Sequence, residues 1–173
     1  MIFYTFDTME INIRPYITED VETIVAILNY YIANSTALYD YEPRTFEQQK
    51  NIFKEKLNKG FPVIVATIGE RVVGFGYYSE FRFREAYKYT VEHSVYVLPN
   101  EHGKGIGKKL VDNLISLAKK QKLHTMIGVI DAENDSSISF HNQIGFTTVG
   151  IIKESGYKFD RWLHSVIMQL MLE

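Results

Sequence analysis

The chain contains no cysteine, one tryptophan and four prolines among its 173 residues. The absence of cysteine excludes disulfide bonds, cysteine-ligated metal sites and a cysteine nucleophile. It also fits a protein that works in a reducing compartment. No apolar run reaches the length of a membrane span, and the opening MIFYTFDTME lacks the basic start and apolar core of a signal peptide. We therefore expect a soluble, cytoplasmic protein.

An excess of positive charge is also missing. The 19 Lys and Arg residues are outnumbered by 21 Asp and Glu residues, which gives a formal net charge of −2, and no long basic run is present. Nucleic-acid binding is therefore disfavoured. The five histidines do not cluster with carboxylates at ligand spacing, so we expect no metal site.

What is present fits a single folded domain. Hydrophobic residues make up 46% and aromatic residues 14% of the chain, which is a globular composition, and a chain of this length can bury a substantial core. No linker, internal repeat or low-complexity run divides the sequence. We expect one domain over residues 1–173.

The most informative segment is VEHSVYVLPNEHGKGIGKKL, residues 91–110. A strand and a turn lead into glycines at every second position, where a helix begins: Gly103, Gly105 and Gly107. Such a loop leaves main-chain N–H groups free at a helix N-terminus, with no Cβ in the way, and so favours a phosphate or pyrophosphate. Three lysines add positive charge to the same rim: Lys104, Lys108 and Lys109.

Two common phosphate-binding motifs do not fit this loop. A Rossmann G-x-G-x-x-G motif read from Gly103 needs glycine at position 108, which is Lys108. A Walker A motif read back from Gly107 and Lys108 needs glycine at position 102, which is His102, and Ser or Thr at position 109, which is Lys109. The segment HGKGIG at 102–107 instead resembles the acyl-CoA loop Q/R-x-x-G-x-G/A of the GNAT N-acetyltransferases, with His102 in place of Arg or Gln. A glycine-rich turn without a ligand is the alternative.

The hydrophobic patterning predicts the element order β-α-α-β-β-β-α-β-α-β-β. Strands are expected at 10–14, 62–68, 71–81, 90–98, 125–130, 147–152 and 162–172. Helices are expected from Thr18 or Asp20 to 34, from Thr45 to 58, from 106 to about 122, and from Asn134 or Asp135 to about 145.

The fourth strand, the third helix and the fifth strand form a βαβ unit, so these two strands are expected to run parallel. The hairpin strands are expected to be antiparallel. We therefore predict an α/β fold with a mixed, mostly antiparallel sheet, a central parallel β-α-β unit and helices on both faces. This order is similar to the GNAT fold over the whole chain.

Three segments narrow the resemblance to the phosphinothricin acetyltransferase group, which includes the methionine sulfone and methionine sulfoximine N-acetyltransferases. They are RFREAYKYTVEHSVYV at 82–97, NDSSISFH followed by GF within 134–146, and GYKFDRW at 156–162. The resemblance implies transfer of an acetyl group from acetyl-CoA, as co-substrate, to the α-amine of a small amino-acid-like acceptor. It also implies a homodimer formed through the later strands. The apolar run 166–172 is a candidate for that interface, and burial in the core of the chain explains it equally well.

Glu92 is the candidate general base. An amino-acid amine is mostly protonated at pH 7, and a carboxylate with a raised pKa can remove that proton. Glu92 matches the catalytic glutamate of the resembled family, directly or through a water. It shares one strand face with Ser94 and Tyr96, and a strand buried on both sides would hide its carboxylate. An exposed strand edge is the alternative, and His93 is expected to help hold Glu92.

The resemblance also implies a set of acetyl-CoA contacts. Main-chain groups would bind the pantetheine arm and the oxyanion at Val95, Tyr96 and Val97. The pyrophosphate would lie on Gly103, Lys104, Gly105, Ile106, Gly107 and Lys108. Asn134 and Ser137 would make further contacts, and as helix caps they can also have a purely structural role. His141 stands where many GNAT enzymes have a tyrosine that protonates the leaving thiolate, and both an acid role and a structural role stay open for it.

An acceptor carboxylate calls for arginine. Arg82 aligns with an arginine of the resembled group, with Arg84 as the alternative, and Tyr87 would contribute to the acceptor pocket. The aromatic loop 39–41 and Trp162 are further candidates for its wall. Other possible functions are acetylation of a protein amine or an aminoglycoside, and acyl-CoA binding without catalysis.

Overall fold

The computed structural model describes residues 10–173, and the strands in this part of the chain form one mixed sheet. They are β1 (Ile11–Pro15), β2 (Val63–Ile68), β3 (Arg71–Glu80), β4 (Thr90–Val97), β5 (Thr125–Asp131), β6 (Thr147–Lys158) and β7 (Arg161–Met171). Their spatial order is β1-β2-β3-β4-β5-β7-β6. β4 and β5 pair in parallel, and every other neighbouring pair is antiparallel. The predicted mixed sheet with a central parallel pair is confirmed.

Four α-helices accompany the sheet within residues 10–173: α1 (Val21–Asn34), α2 (Phe46–Asn58), α3 (Ile106–Lys120) and α4 (Asp135–Gln143). α1 and α2 contribute Ile24, Leu28 and Phe53 to one buried cluster. α3 contributes Leu110 and Leu114 to a second cluster. The sheet therefore separates two cores.

Strand alternation assigns the residues of β4 to these cores. Tyr96 belongs to the core beneath α1 and α2, together with its register partner Phe75 on β3. Val91 and Val97 belong to the core beneath α3. Because successive side chains of a strand point to opposite faces, each side of β4 presents a different set of functional groups.

The start of α1 differs from the prediction. Thr18 and Asp20 lie in a short 3₁₀ turn, and the helix begins at Val21 with no side-chain cap. Asp20 instead accepts two hydrogen bonds of 2.7 Å from the Arg14 guanidinium and one of 2.9 Å from Ile17 N–H. The ion pair occupies the carboxylate that the sequence pattern had suggested as a cap.

The end of β6 also differs from the prediction. The strand continues to Lys158, whereas the sequence pattern had predicted a loop after residue 152. The ladder with β7 is irregular between Ile152 and Gly156, and Glu154 has a φ of +51°. A bulge of this kind interrupts the period-two pattern by which a strand is recognised.

Two further expectations concern localisation. The opening segment, which is not expected to be a signal peptide, lies outside the described residues over positions 1–9. Between residues 10 and 173, no helix is both long enough and apolar enough to cross a membrane.

The cap of α2 provides a test of the local sequence signals. Thr45 Oγ1 accepts from Gln48 N–H at 3.2 Å, and Gln48 Oε1 accepts from Thr45 N–H at 2.9 Å. Thr45→Ala removes the first bond and should cost about 1 kcal/mol, which corresponds to a fall in Tm of about 2–4 °C. Thr18→Ala, an exposed control with no capping contact, should leave Tm unchanged. Equal effects in thermal unfolding would contradict the assignment.

Candidate active site

A cleft opens where β4 and β5 separate. Their parallel pairing has three register pairs, of which the last joins Glu92 to Ile127. Beyond it, β4 keeps its pairing with β3, and β5 keeps its pairing with β7. The space between the diverging strands has a volume of about 960 Å³. The edge of β4 over residues 93–97 therefore presents main-chain groups to this cleft, and an extended ligand can bind there as an additional strand.

The glycine loop forms one end of the cleft. Gly103 and Gly105 have φ values of +77° and +78°, and a Cβ at either position would meet nothing within 4 Å. The first helical hydrogen bond of α3 is donated by Lys109 N–H to Gly105 O at 3.1 Å. The preceding N–H groups of the first turn therefore have no helical acceptor, and no side chain caps them. This geometry suits an anion such as a pyrophosphate.

Glu101 fastens the glycine loop to the sheet. Its side chain is 4% exposed and accepts from Arg71 at 2.6 Å and from Lys104 at 2.7 Å. These hydrogen bonds hold the pKa of Glu101 below its usual range. The sequence analysis did not identify Glu101 as part of the site, because its partner Arg71 lies 30 residues away and no local pattern links the two residues.

The other rim lysines also contact neighbours. Lys108 Nζ lies 2.6 Å from Asp112 Oδ2, and Lys109 Nζ donates to the main-chain oxygen of Ile11 at 3.2 Å. Lys108 and Asp112 are both exposed, so this ion pair is weak and can exchange for a pair with a bound anion.

Tyr31 and His102 hold the end of β4. The Tyr31 hydroxyl donates to Val97 O at 2.6 Å, and His102 Nε2 lies 2.7 Å from the same hydroxyl oxygen. Burial raises the pKa of Tyr31 to about 12, so the phenol keeps its proton. His102, which stands in place of Arg or Gln in the loop motif, therefore contacts the Tyr31 hydroxyl and the Val97 carbonyl in this structure.

Glu92 lies in the cleft and is half-buried. It is opposite Ser79 in the β3–β4 register, two positions from the Tyr77–Ser94 pair, and so belongs to the face of the sheet covered by α1 and α2. Burial raises the pKa of Glu92, and the charge of Lys56 partly opposes that rise. A cleft carboxylate with a raised pKa has the properties of a general base.

His93 does not hold Glu92, because its side chain lies on the opposite face of β4. His93 Nε2 lies 3.2 Å from His141 Nε2, and His141 Nδ1 lies 2.7 Å from Ser137 O. A carbonyl only accepts, so His141 carries its proton on Nδ1 and His93 donates through Nε2. Burial lowers the pKa of His93 to about 3 and also lowers the pKa of His141. The pair is therefore neutral.

Asn134 and Ser137 open α4 beside the histidine pair. Asn134 Oδ1 accepts from Ser137 N–H at 3.0 Å and therefore caps the helix. Both residues also line the cleft. The predicted structural role of Asn134 is confirmed, and a contact with the co-substrate stays a prediction.

The residues predicted to bind the acceptor do not line the cleft. The guanidinium of Arg82 lies over the rings of Phe81 and Tyr87, at 5.2 and 5.9 Å from their centroids. Arg84 lies over Phe83 at 4.8 Å. This loop follows β3, close to the point where β4 begins. A role for it in acceptor binding stays a prediction.

A different aromatic loop reaches the cleft. The lining includes Tyr39 and the three residues before it, together with Tyr77 and Ser165. Tyr41 and Trp162, which the sequence suggested as further walls, are exposed and do not line it. Across residues 10–173, no three His, Asp or Glu residues come together as a possible metal site.

Known proteins are similar to this chain in sequence and in fold. The profile described as "Acetyltransferase (GNAT) family" matches residues 22–146. An L-methionine sulfoximine/L-methionine sulfone acetyltransferase from Pseudomonas paraeruginosa is 37% identical over 167 residues, which cover 95% of this chain and 96% of that protein.

Two solved structures are similar along nearly their whole length. An N-acetyltransferase from Staphylococcus aureus Mu50 has a TM-score of 0.93 and 38% identity, with coverage of 95% of this chain and 99% of that chain. A phosphinothricin acetyltransferase from Sinorhizobium meliloti, solved in complex with AcCoA, has a TM-score of 0.90 and 34% identity, with coverage of 94% and 89%.

The buried charge of Glu92 predicts a pH-dependent stability difference. Because burial raises the pKa of Glu92 above 4.5 in the folded state, stability falls as the pH rises from 4.5 to that folded value, and the loss is complete above it. Glu92→Gln should therefore unfold about 1–3 °C above the wild type at pH 7.5. The difference should disappear as the pH falls below 4.5, where the carboxylate is protonated in both states.

Thermal unfolding between pH 4 and pH 8 measures this difference. Glu70→Gln, in the exposed turn between β2 and β3, is the matched control and should follow the wild type at every pH. A Glu92→Gln protein less stable than the wild type throughout this range would contradict the argument.

Proposed function

We propose that this chain, which belongs to the acetyltransferase (GNAT) family and is an acetyl-CoA-dependent N-acetyltransferase, acetylates the α-amine of a small amino-acid-like acceptor. The names of its relatives support acceptors such as methionine sulfone, methionine sulfoximine and phosphinothricin. The observation that carries the proposal is one continuous cleft, with the glycine loop at one end and Glu92 on its wall.

Acetyl-CoA would bind along the open edge of β4. Its pyrophosphate would accept hydrogen bonds from the first turn of α3, and its pantetheine amides would pair with main-chain groups of residues 95–97. Both interactions use backbone atoms, which fits a loop with left-handed glycines and a strand edge without a partner strand. This arrangement would direct the thioester toward Glu92.

Glu92 would start the reaction as general base. It removes a proton from the acceptor ammonium, directly or through a water, and the free amine then attacks the thioester carbonyl. A main-chain N–H of β4 near Val95 would stabilise the oxyanion. The attacking nitrogen gives up its second proton to water as the tetrahedral intermediate collapses, the C–S bond breaks, and the amide and the CoA thiolate are released.

The geometry does not favour His141 as the acid that protonates this thiolate. His141 Nε2 accepts a hydrogen bond from His93, and the Nδ1 proton is hydrogen-bonded to Ser137 O. An acid role would need an additional proton on the pair, and burial opposes that proton at both rings. We propose that the thiolate leaves without a proton from His141.

We also propose a cytoplasmic homodimer. Within the run 166–172, Val166, Met168 and Leu172 are buried in the core of the chain itself, so this run offers less surface than the sequence suggested. Strand β6 instead exposes three apolar side chains beside its outer edge: Val149, Ile151 and Ile152. Such an edge favours pairing with a second copy.

Release of CoA thiol on mixing the protein with acetyl-CoA and a panel of amines tests the proposed function. We expect turnover with methionine sulfone, methionine sulfoximine or phosphinothricin. Glu92→Gln should lower kcat about 100- to 1000-fold, in line with loss of a general base, and should leave the Kd for acetyl-CoA unchanged by calorimetry. The Glu70→Gln control should retain full turnover.

Three outcomes would redirect the assignment. Turnover only with aminoglycosides or peptides would place the acceptor in another class. Binding of acetyl-CoA without turnover on any amine would indicate a non-catalytic acyl-CoA-binding protein. Near-normal kcat in Glu92→Gln would remove Glu92 from the role of base.

The two arginines of the loop after β3 can be distinguished by substitution. Both side chains are exposed, but Arg82 lies over the rings of Phe81 and Tyr87, whereas Arg84 lies over Phe83. If Arg82 binds the acceptor carboxylate, Arg82→Ala should raise the acceptor KM about 10- to 100-fold, the range expected for a hydrogen bond to a charged group. Arg84→Ala should change it less than about twofold. Steady-state kinetics on methionine sulfone measures both, and unchanged KM values in both variants would place the carboxylate elsewhere.

A further inference from the structure

The segment GYKFDRW at 156–162 has no role in the chemistry described above. Its first three residues end β6, on the far side of β7 from the cleft. We propose that Gly156 and Lys158 hold the loop of residues 35–41 against the sheet, and that Tyr39 of this loop limits the size of the acceptor side chain. This inference rests on the proposed function, since it concerns the acceptor end of the same cleft.

Lys158 holds the main chain of the loop. Its side chain is 3% exposed, and Nζ donates to Ser35 O at 2.9 Å and to Leu38 O at 2.6 Å. A buried ammonium is stable only when acceptors replace its water. These two carbonyls lie in one short loop, so the same bonds that compensate the charge also fix the loop's path. The Phe159 ring, with its centroid 5.0 Å from Nζ, adds a cation–π contact.

Gly156 provides the space for the Tyr39 ring. A Cβ on Gly156 would lie 2.4 Å from Tyr39 Cε2 and 2.7 Å from Cδ2, distances that no real contact allows. Gly156 does not have a positive φ, so space, not backbone conformation, requires glycine here. The Tyr39 hydroxyl lies 3.3 Å from Ser165 Oγ on β7. The ring is therefore located by β6 and β7 together.

A second tyrosine of the loop strengthens this attachment. The Tyr41 hydroxyl donates to the main-chain oxygen of Tyr157, the residue between Gly156 and Lys158. Three consecutive residues of β6 thus contact the loop. Gly156 leaves space for the Tyr39 ring, Tyr157 accepts a hydrogen bond at its main-chain oxygen, and Lys158 donates from its ammonium group.

The loop reaches the acceptor side of the cleft. Thr36, Ala37, Leu38 and Tyr39 line the cleft together with Glu92. Ser165, which contacts Tyr39, is the register partner of Asp131 at the end of β5. Tyr39 thus forms an aromatic wall opposite β4, and its position determines how large an acceptor side chain fits beside the base.

A double-mutant cycle on Gly156→Ala and Tyr39→Ala tests the inference. In the wild-type background, the new methyl group displaces the ring, and the KM for methionine sulfone should rise about tenfold with little change in kcat or in the Kd for acetyl-CoA. In the Tyr39→Ala background, the same methyl group meets no ring and should change KM less than twofold. Gly150→Ala, on the same strand with no atom within 4 Å of the added Cβ, is the matched control and should have no effect.

Acceptor selectivity provides a second, independent variant. Tyr39→Leu shortens the wall without touching β6, and it should raise kcat/KM for phenylalanine relative to methionine sulfone about tenfold. Equal KM values for Gly156→Ala and Gly150→Ala, or an unchanged selectivity ratio in Tyr39→Leu, would overturn the inference.

Failure of the proposed function can be distinguished from failure of this inference. The same cycle can be measured by chemical denaturation, which needs no substrate, and by the fluorescence of Trp162, whose ring lies 5.1 Å from that of Tyr157. Absence of coupling between Gly156 and Tyr39 in both measurements would show that the contact does not exist. Coupling in a protein that acetylates no amine would refute the proposed function and the acceptor role of Tyr39, and leave only the contact.

Discussion

The site depends on the fact that the two parallel strands at the centre of the sheet, β4 and β5, stop pairing after only three register pairs. The last register pair joins Glu92 to Ile127, and the next residues are His93 and Gly128. A Cβ on Gly128 would lie 3.3 Å from His93 Nε2 and 3.4 Å from His141 Cδ2. The absence of this side chain admits the two imidazole rings where the strands begin to diverge. The neutral histidine pair therefore lies at the point where the cleft begins.

The separation of the strands also divides the chemistry between two faces. Glu92 faces α1 and α2, where the loop with Tyr39 forms the opposite wall. His93 faces the side covered by α3 and α4, where it contacts His141 of α4, the helix capped by Asn134. The main-chain edge of β4 between these faces would receive the extended part of acetyl-CoA. Since successive side chains of a strand point to opposite faces, the neighbouring residues Glu92 and His93 would lie on opposite sides of the bound co-substrate.

Local patterns in the sequence predicted the parts of this site that depend on nearby residues. The glycines at 103 and 105, the Thr45 cap and the order of strands and helices all follow from spacings of a few residues. Alternation also determines the face of His93, and our expectation that it holds Glu92 was wrong because it ignored that alternation. The Glu101–Arg71 ion pair spans 30 residues and the Lys158–Leu38 bond spans 120, and these contacts arise only from tertiary packing.

The contacts between β6 and the loop of residues 35–41 connect the acceptor pocket to the edge of the sheet. β6 has 12 residues and is paired on one side only within residues 10–173. An unpaired edge that exposes Val149, Ile151 and Ile152 can accept another strand, and a second copy of the chain is the partner proposed above. A partner paired with β6 would lie on the strand that carries Gly156, Tyr157 and Lys158, which contact the loop with Tyr39. If the homodimer forms through this edge, dimerisation and acceptor selectivity are therefore coupled through a single strand.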